Sequence, residues 1–285
     1  MAAACVLPLS ASAEIVMYDG ALGTAPPGQG WIRGTLPIIG ALTTQVWTNG
    51  AVRLDTTPVI GESSGYFNNV HPARTHLDRF AGFNVRFDVR VGTEAHVSEH
   101  RAGFSVIVVA NDQRAIEIGF WTNEIWAQSD SPLFFHAESV AFDTSSATNR
   151  FELEFLGHDY TLSANGADIL TGPLRDYSSF GAPYSTTNFI FWGDDTSSAA
   201  ALIEVTRVSL SLYPRILWLA NTTGAVQLAV DNLETGAPSR VEQASGLTGT
   251  NWNLIDTLTR TGSVTHWSGV IDENATSVFL RVKGP

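Results

Sequence analysis

The sequence holds one cysteine, Cys5, so no disulfide can form within the chain and its stability has to come from packing. Charge is also scarce. Asp, Glu, Lys and Arg make up 15% of the residues against 44% hydrophobic, a balance that excludes a disordered chain because enough apolar surface is present to offset chain entropy. Only 16 basic residues stand against 28 acidic ones, a formal net charge of −12 at pH 7. A surface of that sign repels phosphate backbones, anionic lipid surfaces and polyanionic glycans, so nucleic acid is not an expected partner, whereas a calcium ion is compatible with it. No apolar run is long enough to span a bilayer. Helical periodicity is weak throughout.

What is present is a succession of short alternating segments bounded by Gly, Pro, Asn, Asp or Ser. Phe83–Val91, Arg101–Val109, Ala115–Trp121, Glu124–Gln128, Leu133–Glu138, Phe151–Leu156, Tyr160–Ala164, Phe189–Trp192 and Ala201–Leu212 read as strands. Leu156-Gly-His-Asp159 and Ala164-Asn-Gly-Ala167 read as the tight turns between them. The pattern predicts an all-β jelly roll over residues 14–212. A break at Tyr213-Pro214-Arg215 marks a linker over 213–216. The six segments that follow, within 217–285, predict a small β-sandwich of immunoglobulin or fibronectin-III type. Residues 1–13 end in Ala11-Ser12-Ala13 and read as the remnant of a signal peptide, which implies a secreted or cell-surface protein.

The stretch Arg101–Glu138 carries the chemistry. Requiring apolar residues to share one face sets Phe104, Val106 and Val108 beside Ile116, Ile118 and Phe120, then Ile125 and Ala127, then Phe135 and Ala137. Alternation then puts Arg101, Trp121, Glu124 and Glu138 in one row of the opposite face. Gly103, Gly119, Trp126 and His136 make a second row, and Ser105, Glu117, Gln128 and Phe134 a third. Indole platforms among Arg, Glu, Gln and His suit a sugar, whose C–H faces stack on Trp while its hydroxyls pair with planar polar groups. Arg101, Ser105, Glu117, Trp121, Trp126 and Gln128 are the expected ligand-binding residues, and an extracellular polysaccharide is the expected partner.

Two catalytic arrangements are open on the same face. Glu124 and Glu138, as cross-strand neighbours, would stand close enough for a retaining glycosidase. Alternatively Arg101 would neutralise a uronate, Gln128 would hold it, and His136 or Tyr160 would move the proton in a lyase. A structural surface protein without a small ligand is the third reading. Asp194 and Asp195 in the acidic loop Gly193–Ser197, with Asp19, are candidate ligands for a structural calcium; no other cofactor is expected. Gly61-Glu-Ser-Ser-Gly65 matches a nucleophile-elbow pattern but has no helix after it and reads as a turn. His71, His76, His96 and His100 have no metal-ligand spacing and read as loop residues.

Tyr18-Asp-Gly-Ala-Leu-Gly-Thr24, Arg101-Ala-Gly-Phe-Ser-Val106, Glu117-Ile-Gly-Phe-Trp121, Asn123-Glu-Ile-Trp-Ala-Gln128, Leu174-Arg-Asp-Tyr-Ser178 and Gly193-Asp-Asp-Thr-Ser-Ser198 resemble the choice-of-anchor Y domain family of bacterial exported proteins. The resemblance implies export and a concanavalin A-like lectin/glucanase-type jelly roll, and no activity. In place of the Pro-Glu-Pro anchor of many members stands the second β domain. The Glu-x-Asp-x-Glu strand of related glucanases is matched neither by Glu152-Leu-Glu154 nor by Glu117-Ile-Gly119.

Overall fold

The computed structural model describes residues 4–6, 14–68, 77–222, 225–231, 233, 238–244, 252–261, 264–270 and 278–283. His71 and His76 lie outside the described residues. The strands of the larger unit are β2 (Glu14–Asp19), β3 (Ile32–Leu36), β4 (Thr44–Thr48), β5 (Ala51–Asp55), β6 (Ser63–Asn68), β7 (Phe83–His96), β8 (Ser105–Val109), β9 (Ala115–Phe120), β10 (Glu124–Asp130), β11 (Leu133–Ala141), β12 (Asn149–Leu156), β13 (Asp159–Ala164), β14 (Ala167–Pro173), β15 (Phe189–Asp194) and β16 (Ala199–Leu212). Those of the smaller unit are β1 (Ala4–Val6), β17 (Arg215–Thr222), β18 (Ala225–Asp231), β19 (Ser239–Ala244), β20 (Asn253–Leu258), β21 (Val264–Val270) and β22 (Val278–Lys283). Contacts divide the chain at Leu210/Ser211, inside β16, and also group Glu14 and Ala81–Phe83 with the smaller unit.

The larger unit is a jelly-roll β-sandwich. One sheet has seven strands in the order β11-β10-β9-β8-β15-β6-β3; the other has eight, seven of them ordered β14-β13-β12-β7-β16-β5-β4 with β2 paired to β16. The long strand β7 alternates buried and half-buried residues from Phe83 to Val91, as expected where one face meets the core and the other meets water. Val106, Val108, Ile116, Ile118, Phe120, Ile125 and Ala127 of the seven-stranded sheet face the interior, as the alternation predicts. Across from them stand Phe87 and Phe151, with Phe120 packed edge-on at 5.8 and 5.2 Å. Burying each such ring stabilises the fold by roughly 1.5–3 kcal/mol. A second aromatic cluster gathers Tyr18, Trp31 and Tyr66 around Trp192.

Turn chemistry follows the sequence. Asn165 and Gly166 both have positive φ, 52° and 86°, so the β13–β14 connection is the two-residue hairpin that Asn-Gly favours. The smaller unit is a second β-sandwich: a four-stranded sheet β1-β22-β19-β20 and a three-stranded sheet β17-β18-β21 share a core that includes Leu228, Val241, Leu258, Trp267 and Leu280. Ala4–Val6, inside the segment read as a signal remnant, pairs in parallel with Val278–Leu280.

Strands β8 and β9 are buried from end to end, on both faces. A sheet whose second face met solvent would not show this, so something covers the outer face at its centre. The cover is the segment Leu174–Asn188, which lays Tyr177 and Tyr184 over Ile107, Val109 and Ala115.

Candidate functional site

The outer face of the seven-stranded sheet is ordered by a row of small residues. Register aligns Gly34, Gly65, Gly193, Ser105 and Gly119, and the row then ends on Trp126 and Ser139. The neighbouring row reads Ile32, Phe67, Phe191, Ile107 and Glu117. The glycines let flat rings lie on the sheet. A Cβ on Gly65 would stand 2.3 Å from Phe191 Cζ, and one on Gly119 would stand 2.8 Å from Trp126 Cζ2. Both glycines are thus held by close approach of a ring.

Between these two rings lies a buried ionic cluster. Arg101 Nη2 donates to Asp195 Oδ2 at 2.8 Å, and its Nη1 stands 3.5 Å from Glu117 Oε1. Tyr184 OH donates to Glu117 Oε2 and reaches Asp195 Oδ2 at 3.4 Å, while Ser105 Oγ lies 3.5 Å from Glu117 Oε1. The Arg101 guanidinium also sits over the Phe134 ring at 4.8 Å. Burial, then the nearby Asp195, pushes the Glu117 carboxyl well above the usual range, with Arg101 opposing. Asp195 and Glu117 hold the Arg101 guanidinium firmly protonated against its burial.

On the far side, toward β11, the face is sealed by aromatic stacking. Trp126 packs against His136 at 4.0 Å and Trp121 at 4.5 Å, and His96 stacks on Trp121 at 4.0 Å with planes 5° apart. His100 Nδ1 lies 3.2 Å from His136 Nδ1, and His100 packs on Phe135. Burial first of all lowers the His136 pKa.

Several expectations from the sequence are corrected here. Trp126 is 0% exposed and offers no platform. The supposed channel beside it is filled by its own indole over Gly119. Gln128 is fully buried, with Nε2 bound to the His100 carbonyl at 2.8 Å. Trp121 is half-buried, its Nε1 donating to the Arg101 carbonyl. Glu124 pairs with Ala141 rather than Glu138, because β10 and β11 are joined through bulges that shift the register between Ser139 and His136. Glu138 is turned toward the other sheet, 3.4 Å from Tyr160 OH of β13, and meets Arg175 Nη2 of the covering segment at 2.5 Å. The two carboxylates therefore do not form a glycosidase pair. The acidic trio is not brought together into one group either. Asp19 is bound to Arg207 at 3.3 Å and caps Ala21, Asp195 is bound to Arg101, and Asp194 accepts from Thr196 N. Among the described residues no three His, Cys, Asp or Glu side chains form a group that could hold a metal ion. The segment read as a turn at Gly61–Gly65 instead enters β6 at Ser63.

On the near side the face is open. A groove of about 660 Å³ runs over β3, β6 and β15, with Gly34, Gly65, Phe67, Phe189 and Phe191 among its lining. Leu36 and Ile38, 62% and 82% exposed, form its outer rim, and Ala182, Pro183 and Thr186 of the covering segment form its inner wall. Asp195 stands at one end. Of these residues the sequence reading proposed only Asp195 for a site; Gly65 and Phe189 entered it as part of a turn and a strand. The available signal was Ser63-Ser-Gly-Tyr-Phe67 and Phe189-Ile-Phe191, two alternating segments whose outward residues are small or aromatic.

No family model and no curated protein matches the chain. Solved structures of similar arrangement include the carbohydrate esterase of the Shiga toxin-encoding bacteriophage phi24B, at 13% identity and TM-score 0.49, over 70% of this chain and 97% of that one. An alginate lyase of polysaccharide lyase family 7 aligns at 11% identity and TM-score 0.40, over 60% and 82%. The exoplasmic/lumenal domain of VIP36 in its Ca2+/Man-bound form aligns at 10% identity and TM-score 0.41, over 73% and 91%. Among the described residues no helix is long and apolar enough to cross a membrane.

Proposed function

We propose that this is a secreted or cell-surface carbohydrate-binding protein that takes an extracellular polysaccharide in the groove over β3, β6 and β15. The observation that carries the reading is the half-exposed pair Phe67 and Phe191, cross-strand partners beside a row of glycines in an open groove of about 660 Å³. That volume lies in the range of small-ligand sites, which pair an apolar floor with a few fixed polar groups. Sugar rings present apolar C–H faces to such a floor, which Phe191, laid flat over Gly65, and Phe67, against Gly34, supply. Asp195 supplies a fixed acceptor at one end. The export implied by the choice-of-anchor Y resemblance belongs to the same proposal.

The test is isothermal titration and affinity electrophoresis of the full chain against a panel of soluble polysaccharides, with Phe67→Ala and Phe191→Ala beside the parent. Each substitution is expected to weaken binding about tenfold, the loss of one stacking contact, with the melting temperature as a check on folding. Failure to bind any member of the panel, or binding indifferent to both substitutions, would refute the reading.

A further inference from the structure

We infer that the groove selects uncharged glycans against uronate- or sulfate-bearing ones, and that Asp195 sets the choice; this rests on the groove being the carbohydrate site. The groove is lined by three charged residues, Arg33, Asp194 and Asp195. Arg33 and Asp194 alternate with the outward glycines Gly34 and Gly193 and so belong to the opposite face of the sheet. Arg33 spends its Nε on Ser64 Oγ at 3.2 Å and its Nη2 on Thr43. Asp194 is 1% exposed and accepts from the Thr196 amide. Burial pushes its carboxyl up to about 8, so it is protonated and uncharged at neutral pH.

Asp195 is therefore the carboxylate that a ligand in the groove meets. Its Oδ2 takes the bonds from Arg101 and Tyr184, and its Oδ1 is buried with no partner among the described atoms. A buried acceptor without a partner gains from a donor brought by a ligand. Sugar hydroxyls are donors; carboxylates and sulfates are not. Arg101 is not among the residues lining the groove: its guanidinium is held between Asp195 and Glu117, 2.8 and 3.5 Å away. The chain has one lysine, Lys283, and it lies in the smaller unit. A uronate seated beside Asp195 would thus meet a carboxylate, while the one guanidinium among the described lining residues, Arg33, is directed to Ser64 and Thr43 on the opposite face, on a protein whose net charge of −12 already repels polyanions.

The experiment compares, on the full chain at pH 7, an uncharged β-glucan and an uncharged galactan with alginate and polygalacturonate. At least one uncharged chain is expected to bind about thirtyfold or more tightly than either uronate, the scale of one uncompensated like charge. Binding of the uncharged chain should change little between 20 and 150 mM NaCl. Asp195→Asn should narrow the preference by weakening the uncharged chain and admitting the uronates. If alginate or polygalacturonate binds as tightly as the uncharged chains and Phe191→Ala abolishes it, the groove stands and the charge selection is overturned. Binding of no glycan, or binding insensitive to Phe191→Ala, overturns both. The comparison of glycans on the parent protein decides the matter even if Asp195→Asn folds poorly.

Discussion

Asp194 makes a strong thermodynamic prediction. Its carboxyl is buried, with Oδ2 unpartnered, and burial more than any other influence lifts it from 3.8 to about 8. The shift disfavours folding at neutral pH. Below pH 4 both folded and unfolded chains hold the proton and the group is neutral to stability. Between about 4 and 8 the unfolded chain has released it and the folded chain has not, so stability falls as pH rises, by about 1.4 kcal/mol per unit. From pH 5 to pH 7 the loss is about 2.7 kcal/mol. For a domain of this size that corresponds to roughly 5–11 °C in Tm. Asp194→Asn has nearly the same shape and no proton to lose. Calorimetric scans of both proteins should show the variant gaining on the parent by that amount from pH 5 to pH 7, with the difference level above pH 8. Glu117, raised by its own burial, acts in the same direction in both proteins and drops out of the comparison. A Tm difference independent of pH across this window, or one that shifts in favour of the parent, would show that Asp194 is ionised in the fold and would refute the reasoning.

Trp126→Ala should cost about 3–5 kcal/mol in a denaturant titration, because a fully buried indole is removed, while glycan affinity per folded molecule stays unchanged. Gly65→Ala should cost about 1–3 kcal/mol and weaken glycan binding about tenfold, since the added Cβ would force the Phe191 ring off the sheet. Glu138→Gln should destabilise by about 1–3 kcal/mol through Arg175, whose side chain is 8% exposed. Combined with Glu124→Gln, the two effects should add within about 0.5 kcal/mol, as expected for carboxylates that share no site.

The sandwich was legible because alternation is a local property. Val106, Ile118 and Ala127 declare their face by spacing alone, and the register through β8, β9 and β10 keeps every one of them inward. The β10–β11 pairing was not legible. Its bulges carry no Gly or Pro to announce them, and they turn Glu138 away from Glu124. Nor does alternation tell what lies over a face. Glu117 and Gln128 point outward from the core as predicted, yet Tyr184 and Tyr177 come from a segment 50 to 70 residues later in the chain and seal them. The His96 and His100 contacts have the same origin, since they join residues far apart in sequence; His96, read as a loop residue, closes β7 and stacks on Trp121, and His100 packs on Phe135 of β11.

The two ends of the glycine row show why an open surface survives at one and not at the other. Trp126 over Gly119 and Phe191 over Gly65 are the same device, a ring laid flat where a Cβ is missing. At the Trp126 end the irregular strand β11 brings His136 onto the indole, and the loop before β8 brings Arg101 to Glu117. At the Phe191 end the flanking strands β6 and β3 pair without a break and present glycines, so the ring packs on one side against the cluster around Tyr177, Tyr184 and Phe189 and stays half-exposed on the other. A ring left half-exposed in a groove loses hydration favourably only when an apolar face covers it. With Ala182, Pro183 and Thr186 of the covering segment at the groove's wall, the proposed ligand would supply that face.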